Sequence, residues 1–339
     1  MKSLYTKYRP KTWNEVIGQE SVVKILKQQI DNNDIFNCMI FAGISGTGKT
    51  TLARIFANEL NKGLGTPIEV DAASNNGVDN VRMIINSASE RALDCEYKVY
   101  IIDEAHMLST QAWNAFLKCI EEPPHYTVFI FCTTDPHKIP NTIQNRCMRF
   151  NFTRVSSKLI EQRLNYISSS EGFTGNCIEV NNYISRICNG EVRKAISYLE
   201  TCVRYDSTVS IENALIALGN SSYDDYFNLV NGIIDGNAQI IISIIDRMYD
   251  DGVDLKKFVD LFTDFCFDIL KYILCQDISV TKIPDFYKDK LDFSIKLEGA
   301  IKYYNYITDK LLETKNMVKN STDEKVVIEI MFNRMSRFV

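Results

Sequence analysis

Eight consecutive residues, Gly43-Ile44-Ser45-Gly46-Thr47-Gly48-Lys49-Thr50, fit the pattern G-x-x-x-x-G-K-T. Such a run holds nucleotide phosphates when a strand precedes it and a helix follows. Its glycines let backbone N–H groups curl around the β-phosphate, and the helix N-terminus adds partial positive charge. Lys49 would reach the β- and γ-phosphates, and the Thr50 hydroxyl would coordinate Mg²⁺. Gly43, Gly46, Thr47, Gly48 and Thr51 complete the set expected around ATP. A second run, Lys98-Val99-Tyr100-Ile101-Ile102-Asp103-Glu104, is an apolar strand ending in two carboxylates. Asp103 is expected to hold Mg²⁺ through water, and Glu104 to polarise the attacking water as a base. Acids after a strand also serve as helix N-terminal charges; the long apolar run before these two favours catalysis. His106 fits a hydrogen-bonded structural role at least as well as a functional one.

These groups need elements to hold them. Short apolar runs at 39–42, 68–70, 99–102, 128–132 and 148–152 alternate with helical patterns over residues 1–153. They predict five short buried strands in a parallel sheet covered on both faces. The phosphate loop leaves the first strand and opens a helix at 51–60. Residues 154–207 read as a small helical domain. Ser156 or Ser157 caps a helix through Leu159, Leu164 and Ile167, a break falls at 171–175, and helices follow near 178–188 and 191–204. Residues 208–339 are helical almost throughout. Val253, Phe258, Leu261, Phe262, Phe265 and Ile269 form an apolar stripe, and two more helices fill 291–339 with a break near 320–322. The fold class is therefore α/β plus all-α.

The 339 residues allow two or three domains, and 45% hydrophobic with 24% charged residues is ordinary for a soluble globular protein. A net charge of −5 argues against a uniformly basic DNA coat, although residues 1–11 carry Lys2, Lys7, Arg9 and Lys11 without an acid. The ten cysteines include no C-x-x-C pair and sit mostly in apolar runs, as buried thiols of a reducing compartment do. With a polar N-terminus and apolar runs far shorter than the ~18 residues of a membrane helix, a cytoplasmic protein is expected.

Longer motifs carry a specific resemblance. Leu4-Tyr5-Thr6-Lys7-Tyr8-Arg9-Pro10, Val16-Ile17-Gly18-Gln19-Glu20, Asp71-Ala72-Ala73-Ser74-Asn75-Asn76-Gly77, the stretch 97–124 and Thr133-Thr134-Asp135-Pro136-His137-Lys138 resemble clamp-loader ATPases, in particular the bacterial DNA polymerase III gamma/tau subunit. The match covers about residues 4–200. It implies an AAA+ fold with a nucleotide domain (1–153), a lid (154–207) and a helical collar joining subunits (208–339), in a bacterial or phage-infected cell. It implies that Tyr8, Arg9, Pro10 and Ile17 line an adenine pocket, and that Thr134 is the sensor-1 residue. Arg193 looks like the lid's sensor-2 arginine, touching the γ-phosphate in cis. Arg146 looks like an arginine finger serving the neighbouring subunit; by its spacing alone a surface ion pair fits it equally well.

The implied partners are other loader subunits in a pentameric ring or spiral, a sliding clamp and primer–template DNA. Ser74, Asn75 and Asn76 precede a helix carrying Arg82, whose start could hold a DNA phosphate or be an ordinary cap. A helix over 110–120 carries Trp113, Phe116 and Leu117, some of them core; the resemblance points its outer face at the clamp and Lys118 at a neighbouring subunit. The sequence departs from the family in three places. Residues 61–67 replace a four-cysteine zinc module, so no zinc is expected. Asn145 stands where Ser is usual before the finger, and Lys194 stands where an acid usually follows Arg193. A different AAA+ motor would need a DNA-translocating terminal domain, and a non-hydrolysing scaffold subunit would have lost Lys49, Asp103 or Glu104.

Overall fold

β-Branched and aromatic residues dominate the apolar runs, and such residues suit a pleated, buried surface. A computed structural model describes residues 3–219, 223–296 and 299–337. Lys2 and the last two residues of the expected final helix lie outside them. The chain opens with α1 (Leu4–Lys7) and α2 (Glu20–Asn32). It continues through β1 (Cys38–Ala42), α3 (Lys49–Leu60), β2 (Ile68–Asp71), α4 (Val78–Ala88), β3 (Lys98–Asp103), α5 (Thr110–Glu121), β4 (Thr127–Thr133), α6 (Asn141–Gln144) and β5 (Met148–Asn151). Then follow α7 (Ser157–Glu171), β6 (Thr174–Gly175), α8 (Cys177–Ile187), α9 (Val192–Tyr205) and β7 (Thr208–Val209). The remaining helices are α10 (Ile211–Ala217), α11 (Tyr223–Ile234), α12 (Ala238–Asp250), α13 (Leu255–Cys275), α14 (Lys288–Ile295), α15 (Ala300–Lys319) and α16 (Glu324–Ser336). Two compact units result: Met1–Ser170 with Cys188–Glu200, and Glu171–Ile187 with Thr201–Val339.

In the first unit the five strands are all parallel, in the order β2-β3-β4-β1-β5. Side chains alternate between faces along a strand. One face therefore presents Ile40, Tyr100, Ile102, Phe129 and Phe131, which pack with Val81 of α4 and with Trp113 and Phe116 of α5. The other presents Met39, Phe41, Val99, Ile101, Val128, Ile130 and Cys132 to Leu26 of α2 and to Leu52 and Phe56 of α3. Aromatic rings interlock on the first face, with Phe131 5.2 Å from Trp113 and 5.5 Å from Phe116 between centroids. Such pairs add about 0.5–1.5 kcal/mol each beyond their burial. Five buried strands were expected, and three are observed. β2 exposes three of its four residues and β5 buries only Phe150, because each closes one edge of the sheet and has a single neighbour.

Because every strand runs the same way, the segments after β1, β3 and β4 emerge on one rim of the sheet, where open α/β sheets bind ligands. The expected helix at 51–60 begins two residues earlier, at Lys49, directly on the phosphate loop. The connection from β5 to α7 is gripped by three other segments. Buried Gln19 donates from Nε2 to the Thr153 carbonyl (2.8 Å) and to the Thr47 carbonyl (3.4 Å), and accepts from the Thr153 N–H (3.3 Å). A Cβ on Gly43 would fall 2.4 Å from the Phe152 carbonyl oxygen, so only glycine fits there. Val155 donates its N–H to the Gly190 carbonyl (3.2 Å).

The second unit is helical apart from the two-residue ladder of β6 with β7, which occupies the break expected at 171–175. Phe258, Phe262 and Phe265 line one side of α13 and pack with Tyr226, as the apolar stripe predicted. Arg186 of α8 donates to the carbonyls of Ile278, Thr281 and Ile283 and pairs with Asp285 at 3.0 Å. The region expected to hold two helices from 291 holds three segments. Gly299, at φ +76°, takes a left-handed conformation before α15, which separates it from α14. The break at 320–322 is where expected, and Asp323 caps α16 by accepting from the Val326 N–H (3.2 Å). All ten cysteines are thiols. Among the described residues no helix is long and apolar enough to cross a membrane, and no group of three or more His, Cys, Asp or Glu could hold a metal ion.

Candidate nucleotide-binding site

The phosphate loop is anchored at both ends. Gly43 donates its N–H to the Thr133 carbonyl (3.1 Å), and Thr47 Oγ1 donates to the Ile44 carbonyl (2.9 Å). Gly48, at φ +99°, is the N-cap residue of α3 and offers no side-chain cap, so the first N–H groups of α3 face the loop without a side-chain acceptor. Lys49 Nζ curls back to donate to the carbonyls of Gly43 (2.8 Å) and Ile44 (2.9 Å). The side chain is buried, and desolvation lowers its pKa, opposed by the nearby Cys132, Glu104 and Asp103. A buried ammonium held only by neutral carbonyls, beside unsatisfied helix N–H groups, fits an anion such as a phosphate.

Two carboxylates close the far side. Thr50 Oγ1 donates to Asp103 Oδ2 at 2.8 Å, and the Glu104 N–H donates to Asp103 Oδ1 at 3.0 Å. A hydroxyl and a carboxylate in contact are hard oxygen donors of the kind Mg²⁺ takes, so these residues fit the expected ion. Glu104 sits at φ 48°, ψ 42°, a left-handed conformation that is rare without glycine and costly to hold. The kink turns Glu104 back over the rim, where Oε2 lies 3.4 Å from Thr134 Oγ1 and 3.4 Å from His106 Nδ1. His106 Nδ1 is also 3.2 Å from Thr133 Oγ1. The histidine thus sits between the end of β4 and Glu104, in reach of the phosphate side only through that carboxylate.

A second, mostly apolar cleft continues from the loop. Tyr8, Arg9, Pro10 and Ile17 line it, joined by Tyr5, Val16, Val192 and Ile196. Arg9 Nε donates to Thr51 Oγ1 (3.2 Å), and burial lowers the pKa of its guanidinium. Arg193 lines both this cleft and the phosphate side, 4.6 Å from the Tyr5 ring centroid. The Gly46 carbonyl and Arg193 N–H are 3.5 Å apart, and a Cβ at Gly46 would crowd Arg193 Cβ at 3.3 Å. Residues 43–51, 103, 104, 134 and 193 are therefore brought to one rim. Tyr5 and Gln19 escaped the sequence reading. Tyr5 gave no signal beyond its place in the Leu4–Pro10 motif, and Gln19 none beyond its place in the Val16–Glu20 motif.

Arg146 is not on that rim. It follows α6, donates from Nη1 to the Thr142 carbonyl (2.7 Å) and pairs through Nη2 with Glu121 Oε1 (2.7 Å), with 39% of its side chain exposed. Ser74 and Asn75 leave the same rim after β2, next to Asp103, but neither they nor Arg82 line either cleft. Ser74 Oγ donates to Asp71 Oδ2 (3.0 Å), and Asn75 Nδ2 donates to the Asp71 carbonyl (3.0 Å), in a turn built around Asp71. Gly77, not Ser74 or Asn75, precedes α4 as its N-cap residue and offers no side chain. Arg82 is exposed and lies 3.4 Å from Asp79. On α5, Trp113 and Phe116 are core, Leu117 is partly buried and Lys118 is exposed.

Phosphate loop, carboxylate pair and strand order define a P-loop nucleotide-binding protein of the AAA+ type. In fold the chain is similar to the Holliday junction branch-migration motor RuvB of Thermotoga maritima, with a TM-score of 0.53 at 20% identity, covering 67% of this chain and 80% of that one. Residues 66–156 match the family model described as DNA polymerase III, delta subunit. The chain is 35% identical over 295 residues to DNA polymerase III subunit tau of Bacillus subtilis, covering 80% of this chain and 52% of that protein. It is 30% identical over 278 residues to DNA polymerase III subunit gamma of Buchnera aphidicola, covering 75% of this chain and 76% of that protein. The chain belongs to the DNA polymerase III gamma/tau family. It spans about half the length of the Bacillus subtilis and Mycoplasma genitalium relatives, 52% and 50%.

Proposed function

We propose that this chain is an ATP-hydrolysing subunit of a sliding-clamp loader, acting in the cytoplasm within a pentameric ring or spiral of related subunits. The observation that carries this reading is the complete set of Lys49, Thr50, Asp103 and Glu104 at one rim, with Arg146 directed elsewhere. The division into nucleotide domain (1–153), lid (154–207) and collar (208–339) is part of the same reading. ATP enters with its base against Tyr8, Pro10 and Ile17. Lys49 exchanges its two carbonyl partners for the β- and γ-phosphates, which replaces weak neutral acceptors with charged ones. Thr50 and Asp103 would hold Mg²⁺, which would neutralise charge on the phosphates. Glu104 takes the proton of the attacking water while Thr134 holds the carboxylate and senses the γ-phosphate. Arg193 stabilises that phosphate in cis, and Arg146 of a neighbouring subunit does so in trans.

Binding ATP between subunits closes the spiral on an open clamp, and hydrolysis after primer–template DNA enters releases both. ATP achieves this only by its different affinity for the two conformations. DNA is held by its backbone, with the start of α4 and Arg82 as the proposed contact. The test is steady-state ATP turnover of the chain with its co-expressed partners, with and without primed DNA and clamp. Strong stimulation by both together is expected, and Lys49→Ala is expected to remove at least ~10²-fold of it, as loss of a preorganised charge-stabilising group does. Stimulation by branched DNA without any clamp requirement would instead identify another AAA+ motor. In the same assay Arg82→Glu should lower the DNA-stimulated rate several-fold and leave the basal rate unchanged. Equal DNA stimulation of this variant and the parent would remove Arg82 from the DNA surface.

A further inference from the structure

One aromatic ring touches both arginines of the nucleotide cleft. Tyr5 lies with its ring centroid 4.6 Å from Arg193 Cζ and 5.8 Å from Arg9 Cζ, both within the ~6 Å over which a ring face attracts a cation. Arg193 is exposed, and among the described residues its guanidinium has no carboxylate or carbonyl partner. The contact its guanidinium makes is with that ring. An arginine at the rim of a cleft otherwise samples many rotamers, and each must be given up when a phosphate arrives.

The segment that carries the ring is tied at both ends. The Leu4 N–H donates to Glu200 Oε2 at 3.0 Å, and Glu200 and Arg193 lie on the same helix, α9. Arg9, at the other end of the segment, donates to Thr51 on α3 at 3.2 Å. Residues 4–9 therefore tie the lid helix to the phosphate-loop helix, and Tyr5 lies on the line between them. The phosphate side of the site is lined by Tyr5 together with Arg193, Gly46 and Lys49.

We infer that Tyr5 is a positioning residue that holds Arg193 over the phosphate loop before nucleotide binds, so that the lid arginine discriminates ATP from ADP. This rests on Arg193 addressing the γ-phosphate, as proposed above. Two like charges share one ring. The terminal phosphate is the anion that would satisfy both. A hydroxyl is not required, since the π face carries the contact.

The experiment measures ATP and ADP affinity by calorimetry on the full chain carrying Tyr5→Leu, Tyr5→Phe, Arg193→Ala, and Tyr5→Leu with Arg193→Ala together. Tyr5→Leu is expected to weaken ATP roughly 3- to 30-fold, the range of a cation–π contact, with ADP nearly unchanged. Tyr5→Phe should bind like the parent, which also shows that the segment still folds. The double variant should bind ATP no more weakly than Arg193→Ala alone, because the ring acts through the arginine. Equal weakening of ATP and ADP by Tyr5→Leu would make Tyr5 a mere wall of the base cleft and overturn the inference. If Arg193→Ala weakens ATP and Tyr5→Leu does not, the inference fails while the lid-arginine reading stands. If Arg193→Ala leaves the ratio of ATP to ADP affinity unchanged, that reading fails and takes the inference with it.

Discussion

Arg146→Ala is expected to lower ATP turnover of the assembled complex by ~10³- to 10⁵-fold, the contribution of an arginine supplied from outside a P-loop site, while nucleotide affinity of the separate chain stays at the parent value. Within its own chain Arg146 reaches no part of the phosphate rim. It rests on Glu121 and on the Thr142 carbonyl, and Glu121 is 46% exposed in its side chain. An ion pair this exposed contributes well under about 1 kcal/mol. The guanidinium is therefore held in place cheaply and can leave Glu121 for a neighbour's phosphate. The check is complementation. Assemblies that mix Arg146→Ala subunits with Lys49→Ala subunits should regain turnover at interfaces where an intact finger faces an intact loop. An Arg146→Ala assembly running within about threefold of the parent would end the role in trans, since even the low end of the expected range is far larger.

Glu104→Gln should reduce turnover ~10²- to 10⁴-fold, as removal of a positioned general base does, and leave ATP bound. The amide preserves the shape of the side chain and its contact with Thr134 but cannot take a proton. Single-turnover measurement separates the two effects: slow cleavage of a full complement of bound ATP is the expected record. Weakened binding with an unchanged cleavage rate would assign Glu104 to nucleotide affinity instead. The backbone argues for the first outcome. A non-glycine residue at φ 48° sits in a sparsely populated conformation, and such residues persist where the surrounding structure over-determines them. Here the Asp103 carboxylate holds the Glu104 N–H at 3.0 Å.

The strands were legible because their signal is local. Runs such as Thr127-Val128-Phe129-Ile130-Phe131-Cys132-Thr133 bury every residue, and burial on both faces leaves a continuous apolar stretch in the chain. Their order was not legible, and with it went the exposure of β2 and β5, which depends on which strands have two neighbours. The phosphate loop could be read in advance because its chemistry lies in consecutive residues. Tyr5 could not, since its importance comes from lying beside Arg193, far along the chain. The turn at Ser74 and Asn75 escaped for a related reason. Both residue types suit a helix cap, and only the structure shows Asp71 drawing them into its own turn and leaving Gly77 at the start of α4.

The grip on the segment after β5 has a mechanical meaning. α7 has 15 residues, so at ~1.5 Å per residue it is a lever about 22 Å long, and a rotation of about 3° at its root carries its far end by about 1 Å. The root is also the place where Gly43 abuts the Phe152 carbonyl and Gln19 spans Thr47 and Thr153. Strain imposed on the phosphate loop has no slack to take up before it reaches that fulcrum. A close-packed interior transmits displacement rather than absorbing it, so a shift at that root would be carried along α7, whose Ile160, Leu164 and Ile167 are buried.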